Sequence, residues 1–257
     1  MKLKNKWPKY YKKDVVTHYC PGCGHGIAHR LVAEVLEELD LGKRAIGVNP
    51  AGCAVLAYNY FDVDMIESAH GRGTAVATGI KRARPDLFVF SYQGDGDLSA
   101  IGTAETIHSA NRGEGFTVIF INNAVYGMTG GQMAPTTLLN QKTTTSPLGR
   151  NPKRDGHPLH ITDLVATLPG VVYAERVALD SPAGVRKTKK AITTAFQTQV
   201  DDLGYSIVEI LSPCPTNWKM STLDSFKWVS EVMQQEFSVG VLTDKRKKEK
   251  KGKKEKK

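Results

Sequence analysis

Two groups of polar residues in the middle of the chain have the types and spacing of a metal site that faces an anion. The first group is Gly94-Asp95-Gly96, and the second, Asn122-Asn123, follows it after twenty-five residues. A carboxylate and an amide oxygen suit an octahedral Mg²⁺ ion that leaves its other positions to phosphate oxygens. The glycines let the backbone approach a phosphate, and a helix that begins directly after them would direct N–H groups at the anion. These residues predict a diphosphate that magnesium bridges to the protein.

The four cysteines form a second group that could do chemistry. Cys20 and Cys23 lie in a CPGC sequence, whereas Cys53 and Cys214 lie farther along the chain, each beside glycine or proline. Four thiolates match the ligand count of an iron–sulfur cluster, and they match a structural zinc site equally well. Unrelated buried thiols are the third possibility, and spacing does not decide among the three.

Alternating helices and strands are expected to position both groups. Apolar residues four apart in GIAHRLVAEVLEEL predict a helix, and DLFVFSY and FTVIFIN, on either side of the helical LSAIGTAETIHSANR, are typical of buried strands. This strand–helix–strand order implies parallel strands joined by a right-handed crossover. The alternation resumes at residue 161, after a Gly-, Pro- and Thr-rich segment, residues 128–160, that we interpret as a long functional loop. We therefore predict an α/β fold of three layers with a mainly parallel sheet.

The two polar groups are expected at one edge of that sheet. Asp95 follows a strand that ends near Tyr92, and Asn123 follows a strand that ends near Ile121. Ligands of parallel sheets bind at the carboxyl ends of the strands. The expected fold therefore brings Asp95 and Asn123 together around one ligand.

Composition and charge limit the classes to which the protein can belong. The formal charge of +9 resembles that of a nucleic-acid-binding protein, but the lysine-rich run from residue 245 onward carries +8 of it, so the body is nearly neutral. Nucleic acid is therefore not an expected partner. We predict one domain, residues 1–240, and a disordered basic tail, residues 241–257.

Targeting signals and membrane segments are not expected either. The basic N-terminal stretch lacks the apolar core of a secretory signal, and no apolar run approaches the length of about 18 residues that a membrane span needs. We expect a cytoplasmic protein without a membrane partner. Its cysteines are then expected to be free of disulfides.

Five motifs, taken in order, resemble the β subunit of the 2-oxoacid:ferredoxin oxidoreductases. They are CPGCGHG, GCAVLAYNYFDVD, AHGRGTAVATG, YQGDGDLSAIG and NNAVYGMTGGQMAPTT, and the resemblance covers roughly residues 15 to 220. It implies a sheet of the thiamine diphosphate-binding type, with thiamine diphosphate, Mg²⁺ and a four-iron, four-sulfur (4Fe-4S) cluster as cofactors, and it favours iron over zinc. The activity it implies is oxidative decarboxylation of a 2-oxoacid with coenzyme A, which yields acyl-CoA, CO₂ and reduced ferredoxin.

The same resemblance assigns residues to each cofactor. The implied magnesium ligands are Asp95, the side chain of Asn123 and the backbone carbonyl of Val125, and the implied cluster ligands are Cys20, Cys23, Cys53 and Cys214. Residues implied to contact thiamine diphosphate are Ala51, Gly52, Cys53, Ala54, His70, Gly94, Gly96, Asp97, Gly127 and Met128. His70 is the candidate catalytic residue, since it could hydrogen-bond the substrate or the cofactor.

Partner subunits are implied by a missing carboxylate. Thiamine enzymes need one to activate the aminopyrimidine, and the resemblance implies that a separate α subunit supplies it. Glu67 and Glu105 are the candidates on this chain, although a surface or packing role is favoured for Glu105. We expect this chain alone to bind cofactors without turnover, and γ and δ subunits, ferredoxin, coenzyme A and the 2-oxoacid are its other expected partners.

The sequence after Cys53 bears on the substrate. Ala54-Val55-Leu56 is apolar, whereas a dicarboxylate such as 2-oxoglutarate needs a cation at the far end of its pocket. We therefore favour a branched-chain acid such as 2-oxoisovalerate over 2-oxoglutarate or pyruvate. A non-redox thiamine diphosphate-dependent decarboxylase or synthase is the alternative from another class, but it would have no use for four cysteines.

Overall fold

The computed structural model describes residues 7–248, and the predictions for the first six and last nine residues lie outside this range. Within residues 7–248 a single sheet contains seven strands. They are β1 (Ala45–Pro50), β2 (Asp64–Ser68), β3 (Phe88–Gly94), β4 (Thr117–Asn122), β5 (Val171–Ala178), β6 (Tyr205–Leu211) and β7 (Gly240–Asp244). The strand order is β2-β1-β3-β4-β6-β5-β7, and every pair is parallel except β5 with β7.

Nine α-helices connect these strands in the described part of the chain. They are α1 (His25–Glu38), α2 (Gly73–Ala83), α3 (Thr103–Asn111), α4 (Pro152–Asp155), α5 (Ile161–Ala166), α6 (Pro182–Val200), α7 (Pro215–Trp218), α8 (Thr222–Trp228) and α9 (Gln234–Glu236). The longest, α6, begins with proline after Ser181, whose hydroxyl accepts the N–H of Gly184 at 3.1 Å. This hydroxyl cap and the proline fix where the helix begins.

Alternating side chains of the strands build an apolar layer on each face of the sheet. Phe90 and Tyr92 of β3, with Ile121 of β4, pack in the layer that contains α1 and α6. Val89 and Phe120 point to the opposite face, which α2, α3 and α5 cover. Because side chains of a strand alternate with a period of two, one short apolar run supplies both layers. The predicted three-layer α/β fold with a mainly parallel sheet is confirmed.

The end of the domain differs from the sequence prediction. The boundary expected after residue 240 falls inside β7, which pairs antiparallel with β5 at the edge of the sheet. Val241 and Leu242, which precede the charged run, have the apolar or β-branched side chains that suit a strand. The ordered domain therefore extends at least through Asp244, and Lys245 donates its N–H to the carbonyl of Val172, so the predicted tail of residues 241–257 begins too early. Its residues 249–257 lie outside the described range.

A buried arginine organises the long segment between β4 and α5. The Arg150 side chain is 5% exposed, and Nη1 donates to the carbonyl oxygens of Pro135 and Thr137 at 2.7 and 2.6 Å. Nη2 donates to the carbonyl of His157 at 2.6 Å. The planar guanidinium has five N–H donors, so it can gather several carbonyls of a loop that lacks regular structure. The guanidinium thereby joins two distant parts of this predicted functional loop.

No helix between residues 7 and 248 is both long and apolar enough to cross a membrane.

Candidate functional site

A cavity of about 180 Å³ opens at the carboxyl ends of β1, β3 and β4. All thirteen residues that the sequence analysis assigns to thiamine diphosphate or magnesium line it, together with His25, Tyr126 and Thr129. These thirteen are Ala51, Gly52, Cys53, Ala54, His70, Gly94, Asp95, Gly96, Asp97, Asn123, Val125, Gly127 and Met128. They come together because each follows the end of a parallel strand, where neighbouring strands leave room for a ligand.

Asp95 is a buried carboxylate at the base of this cavity. Its side chain accepts hydrogen bonds from the N–H of Gly96 at 2.8 Å and from the hydroxyl of Thr136 at 2.7 Å. Burial raises the pKa of Asp95 to about 6, and these hydrogen bonds, with those from the N–H groups of Asn123 and Ala124, only partly oppose the rise. A carboxylate that is costly to ionise without a counter-charge is a suitable ligand for a cation.

The asparagine pair forms a turn in which the two side chains have different positions and contacts. Ala124, next in the chain, is buried and adopts a left-handed conformation with φ +58°. The side-chain oxygen of Asn122 accepts the N–H of Ala124 at 3.1 Å, while its Nδ2 donates to Glu209 at 2.8 Å. Asn123 faces the cavity instead, and its backbone carbonyl accepts the indole N–H of Trp218 at 3.0 Å. The first asparagine therefore holds the turn and the second presents its side chain.

Two glycines leave space in the cavity and a third is required by packing. A Cβ added to Gly52 or Gly94 would meet no heavy atom within 4 Å, so both face open space. A Cβ at Gly96 would lie 2.2 Å from a ring carbon of Tyr126. The backbone at residue 96 therefore lies directly against the Tyr126 ring, an approach that only glycine permits.

His70 and Asp97 form a hydrogen-bonded pair in the wall of the cavity. Nδ1 of His70 lies 2.6 Å from Oδ1 of Asp97, and the carboxylate also accepts from the N–H of Gly71 and the amide of Gln93. Burial raises the pKa of Asp97, and these hydrogen bonds oppose the rise only in part. A carboxylate that receives the Nδ1 proton fixes the ring orientation and leaves Nε2 for another partner. Asp97 lines the cavity as predicted, but its carboxylate is directed at His70.

The four cysteines come from three distant segments. The N–H of Gly24 donates to the carbonyl of Pro213 at 3.2 Å, and a Cβ at Gly24 would lie 2.1 Å from Oγ of Ser212. Glycine thus lets the CPGC turn pack directly against the segment before Cys214. Cys53 follows β1 and also lines the cavity.

Electrostatic interactions join every pair of the four thiols, which therefore lie near one another. Burial raises the pKa of Cys23 and of Cys53 to about 12, and it raises the pKa of Cys214 as well. Deprotonation of all four requires a strong positive centre, because buried thiolates repel one another. No three His, Cys, Asp or Glu side chains of residues 7–248 form a compact group suited to one metal ion.

Several residues of the site carry no motif in the sequence. The hydroxyl of Tyr19 donates to the carbonyl of Cys53 at 2.8 Å. Asn217 bonds Sγ of Cys214 and the carbonyl of Gly127, and Trp218 bonds the carbonyl of Asn123. The only sequence signal for the last two is their position beside Cys214. Thr136 stands in the motif NNAVYGMTGGQMAPTT, but the sequence does not predict its hydrogen bond to Asp95.

The two glutamates considered as candidates, Glu67 and Glu105, do not line the cavity. Glu105 accepts a salt bridge from Arg72 at 2.8 Å, in agreement with the packing role favoured for it. Glu67 is exposed on β2. His25 is buried, and its Nδ1 lies 2.8 Å from the hydroxyl of Tyr92, so it belongs to the cavity wall.

Comparison with known proteins agrees with this geometry. Residues 50–210 match the family described as "Thiamine pyrophosphate enzyme, C-terminal TPP binding domain". The chain is 51% identical over 228 residues to "Ketoisovalerate oxidoreductase subunit VorA" of Methanothermobacter thermautotrophicus, covering 89% of this chain and 48% of that protein. It is 37% identical over 233 residues to "2-oxoglutarate synthase subunit KorB" of Methanocaldococcus jannaschii, covering 87% of this chain and 81% of that protein.

A solved structure shares the fold over nearly the whole chain. The 2-oxoglutarate:ferredoxin oxidoreductase from Magnetococcus marinus superposes with a TM-score of 0.78 at 28% identity, covering 95% of this chain and 86% of that one. The chain spans about half the length of the VorA relatives that it matches. The resemblance inferred from the five motifs is confirmed: the chain belongs to the family of thiamine diphosphate-binding β subunits of the 2-oxoacid:ferredoxin oxidoreductases.

Proposed function

We propose that this chain is the cofactor-binding subunit of an enzyme that oxidatively decarboxylates a 2-oxoacid with coenzyme A, yielding acyl-CoA, CO₂ and reduced ferredoxin. One observation carries the proposal. Cys53 belongs both to the cavity that gathers the thirteen candidate residues and to the group of four thiols. An organic reaction centre and an electron acceptor would then be neighbours.

The cavity fits a diphosphate and its magnesium ion. Asp95, Asn123 and the carbonyl of Val125 would hold Mg²⁺, which would offset the cost of burying the Asp95 charge. The open space at Gly52 and Gly94 leaves room for the cofactor. Asp95 receives several hydrogen bonds that fix its orientation before any ion binds.

The four thiols fit a metal centre that is held by four thiolates. The choice of a 4Fe-4S cluster over zinc rests on membership of the oxidoreductase family, whose reaction needs an electron acceptor. When bound, thiamine diphosphate supplies a carbanion that activates 2-oxoacids, and a 4Fe-4S cluster supplies a one-electron acceptor. Cys20, Cys23, Cys53 and Cys214 would hold the cluster.

His70 would orient the substrate. Asp97 holds Nδ1, so Nε2 is the atom with which His70 can donate to or accept from a substrate oxygen. His70 lines the cavity and its side chain remains about one-third exposed, which leaves a path to bound substrate. Within hydrogen-bond distance of the substrate, this nitrogen would be a general acid or base.

The cavity favours an apolar substrate side chain. Ala54 lines it, Val55 is buried, and Leu56 is half-buried outside the lining. Among the described residues no lysine or arginine lines this cavity, so the distal carboxylate of 2-oxoglutarate would find no cation from this chain. The 51% identity to a ketoisovalerate oxidoreductase subunit also supports 2-oxoisovalerate. 2-Oxoglutarate and pyruvate are the alternatives.

A partner chain would complete the site. Of the acidic residues described, only Asp95 and Asp97 line the cavity, and the contacts above occupy both. The relatives are described as subunits of oxidoreductases and synthases, which supports an α subunit as a partner here. That subunit would supply the carboxylate that activates the cofactor.

Metal analysis of the anaerobically purified chain tests the redox half of the proposal. We expect about four irons and four sulfides per chain and a visible absorbance that reductant bleaches. Cys214→Ser should diminish both, whereas Ser212→Ala, two residues away, should not. Zinc, or iron that survives Cys214→Ser, would contradict the cluster assignment and favour the non-redox alternative.

Turnover of the chain reconstituted with its partner subunits tests the substrate. The kcat/KM for 2-oxoisovalerate should exceed that for 2-oxoglutarate, because the cavity wall lacks a cation to pair with the distal carboxylate. A higher kcat/KM for 2-oxoglutarate would overturn this preference. Turnover by the chain alone would contradict the need for a partner.

A further inference from the structure

Asn217 lies between the cysteine group and the loop that lines the cavity. Its amide nitrogen Nδ2 is 3.3 Å from Sγ of Cys214 and 3.0 Å from the backbone carbonyl oxygen of Gly127. A side-chain amide has two hydrogens on this nitrogen. One hydrogen can therefore be donated to sulfur while the other is donated to the carbonyl.

Both partners of this amide belong to the proposed cofactor sites. Cys214 is one of the four thiols, and Gly127 lines the cavity. A Cβ at Gly127 would lie 3.2 Å from Sγ of Cys53 and 3.7 Å from Nδ2 of Asn217. The loop at Gly127 is therefore packed against a second cysteine. A displacement of the loop would change the contacts of both Cys53 and Cys214.

The surroundings restrict the movement of Asn217. A Cβ at Gly131, where φ is +80°, would lie 3.0 Å from Oδ1 of Asn217, so the backbone of the loop encloses the amide. The next residue, Trp218, donates its indole N–H to the carbonyl of Asn123 at 3.0 Å. Two consecutive residues of α7 thus bond the loop that carries the proposed magnesium and diphosphate contacts.

We propose that Asn217 is a positioning residue that couples the cysteine site to the diphosphate loop. The inference rests on the proposed function. A hydrogen bond donated to a ligand sulfur stabilises the more negative, reduced cluster. If bound thiamine diphosphate shifted the Gly127 carbonyl, the Asn217 amide would change its hydrogen bond to Cys214. Reduction of the cluster would strengthen the bond to Cys214 and so change the hold of the amide on the loop.

Thermodynamic linkage makes this coupling measurable in two ways. If thiamine diphosphate changes the reduction equilibrium by some factor, reduction must change the affinity for thiamine diphosphate by the same factor. The factor can be read from the midpoint potential, measured with and without the cofactor. It can also be read from thiamine diphosphate affinity, measured with the cluster oxidised and reduced.

The test uses the full chain, purified anaerobically, in four forms. Asn217→Leu keeps the approximate size of the side chain but removes both donors. Thr216→Val changes an exposed neighbour on the same helix and is the matched control. Trp218→Phe removes only the bond to the carbonyl of Asn123. Wild type completes the set.

In wild type, the factor by which thiamine diphosphate changes the reduction equilibrium should equal the factor by which reduction changes the affinity for thiamine diphosphate. Both factors should differ from one. Asn217→Leu should make the cofactor-free midpoint potential more negative, bring both factors to about one, and weaken thiamine diphosphate binding about fivefold through one lost hydrogen bond. Thr216→Val should match wild type. Trp218→Phe should weaken thiamine diphosphate binding but leave the cofactor-free potential unchanged.

An Asn217→Leu variant that keeps the wild-type potential and the wild-type coupling factor overturns the inference alone. Wild-type chain that contains no iron overturns the proposed function and this inference with it. If Asn217→Leu loses iron, Asn217→Gln, which keeps the amide at a longer reach, takes its place. A loaded Asn217→Gln variant with a reduced factor supports the coupling, and one with the wild-type factor overturns it.

Discussion

Replacement of Asp95 by asparagine should stabilise the cofactor-free protein at neutral pH. Asp95 is 3% exposed, and burial raises its pKa from 3.8 to about 6. A rise of about 2 units at about 1.4 kcal/mol per unit makes the ionised form about 3 kcal/mol too costly in the fold. Asparagine can keep the same contacts, since its oxygen can accept the N–H of Gly96 while its amide donates to the hydroxyl of Thr136.

The pH dependence has a definite sign. Because the pKa of Asp95 is higher in the folded than in the unfolded state, its contribution to stability is fully present below about pH 4 and is lost as the pH rises through about 6. Relative to Asp95→Asn, the cofactor-free wild type should therefore lose about 3 kcal/mol between pH 4 and pH 7.5. The difference between the two proteins isolates this carboxyl from the other groups that titrate.

Urea unfolding in chelator at pH 4, 6 and 7.5 measures this difference. Asp86→Asn is the control, because the salt bridge from Arg84 lowers the pKa of that exposed carboxyl. Any pH dependence of the unfolding free energy that this substitution removes therefore has the opposite sign. Magnesium and thiamine diphosphate should then raise the stability of wild type but not of Asp95→Asn. A variant that is less stable than wild type at pH 7.5 without cofactor, or a difference that does not change with pH, would refute the argument.

Three further predictions concern packing and chemistry. Glu209→Gln should cost about 1–3 kcal/mol in urea unfolding, because buried Arg176 loses one of its two carboxylate partners and keeps Asp163, and the apolar double variant Arg176→Met/Glu209→Leu should cost less. Gly96→Ala should weaken thiamine diphosphate binding measured by calorimetry, because its Cβ would lie 2.2 Å from the Tyr126 ring, and Tyr126→Ala in the same chain should restore part of it. His70→Ala should leave that affinity nearly unchanged but lower kcat of the reconstituted enzyme about 10²-fold or more; equal losses in both would contradict a chemical role.

The fold and the residues of the cavity could be predicted from the sequence for the same reason. Runs such as FTVIFIN have the apolar content of strands buried on both faces, and parallel strands deliver the residues that follow them to one edge. Motif residues of distant segments therefore met in one cavity. Strand β2 was missed because its residues are mostly exposed, and β7 because two apolar residues stand beside a long charged run.

Contacts between distant segments were not accessible from sequence. Thr136 and Gln93 bond the two buried aspartates, and although both stand within the quoted motifs, neither residue type nor spacing predicts these bonds. Asn217 is recognisable only after the structure brings Cys214 close to Gly127. The bonds from Thr136 to Asp95 and from Asn217 to Gly127 join residues more than forty positions apart, so the local spacing of residues does not predict them.

The buried ion pair beneath the asparagine turn explains why two asparagines stand together. Arg176 and Glu209 are each 1% exposed, and a buried ion pair is commonly no more stable than apolar residues of the same size. Its effect here is directional: Glu209 can accept only from the Nδ2 side of Asn122, which turns the amide oxygen toward the N–H of Ala124. The charge pair thereby fixes a left-handed residue that aims Asn123 into the cavity, a specification that apolar packing could not supply.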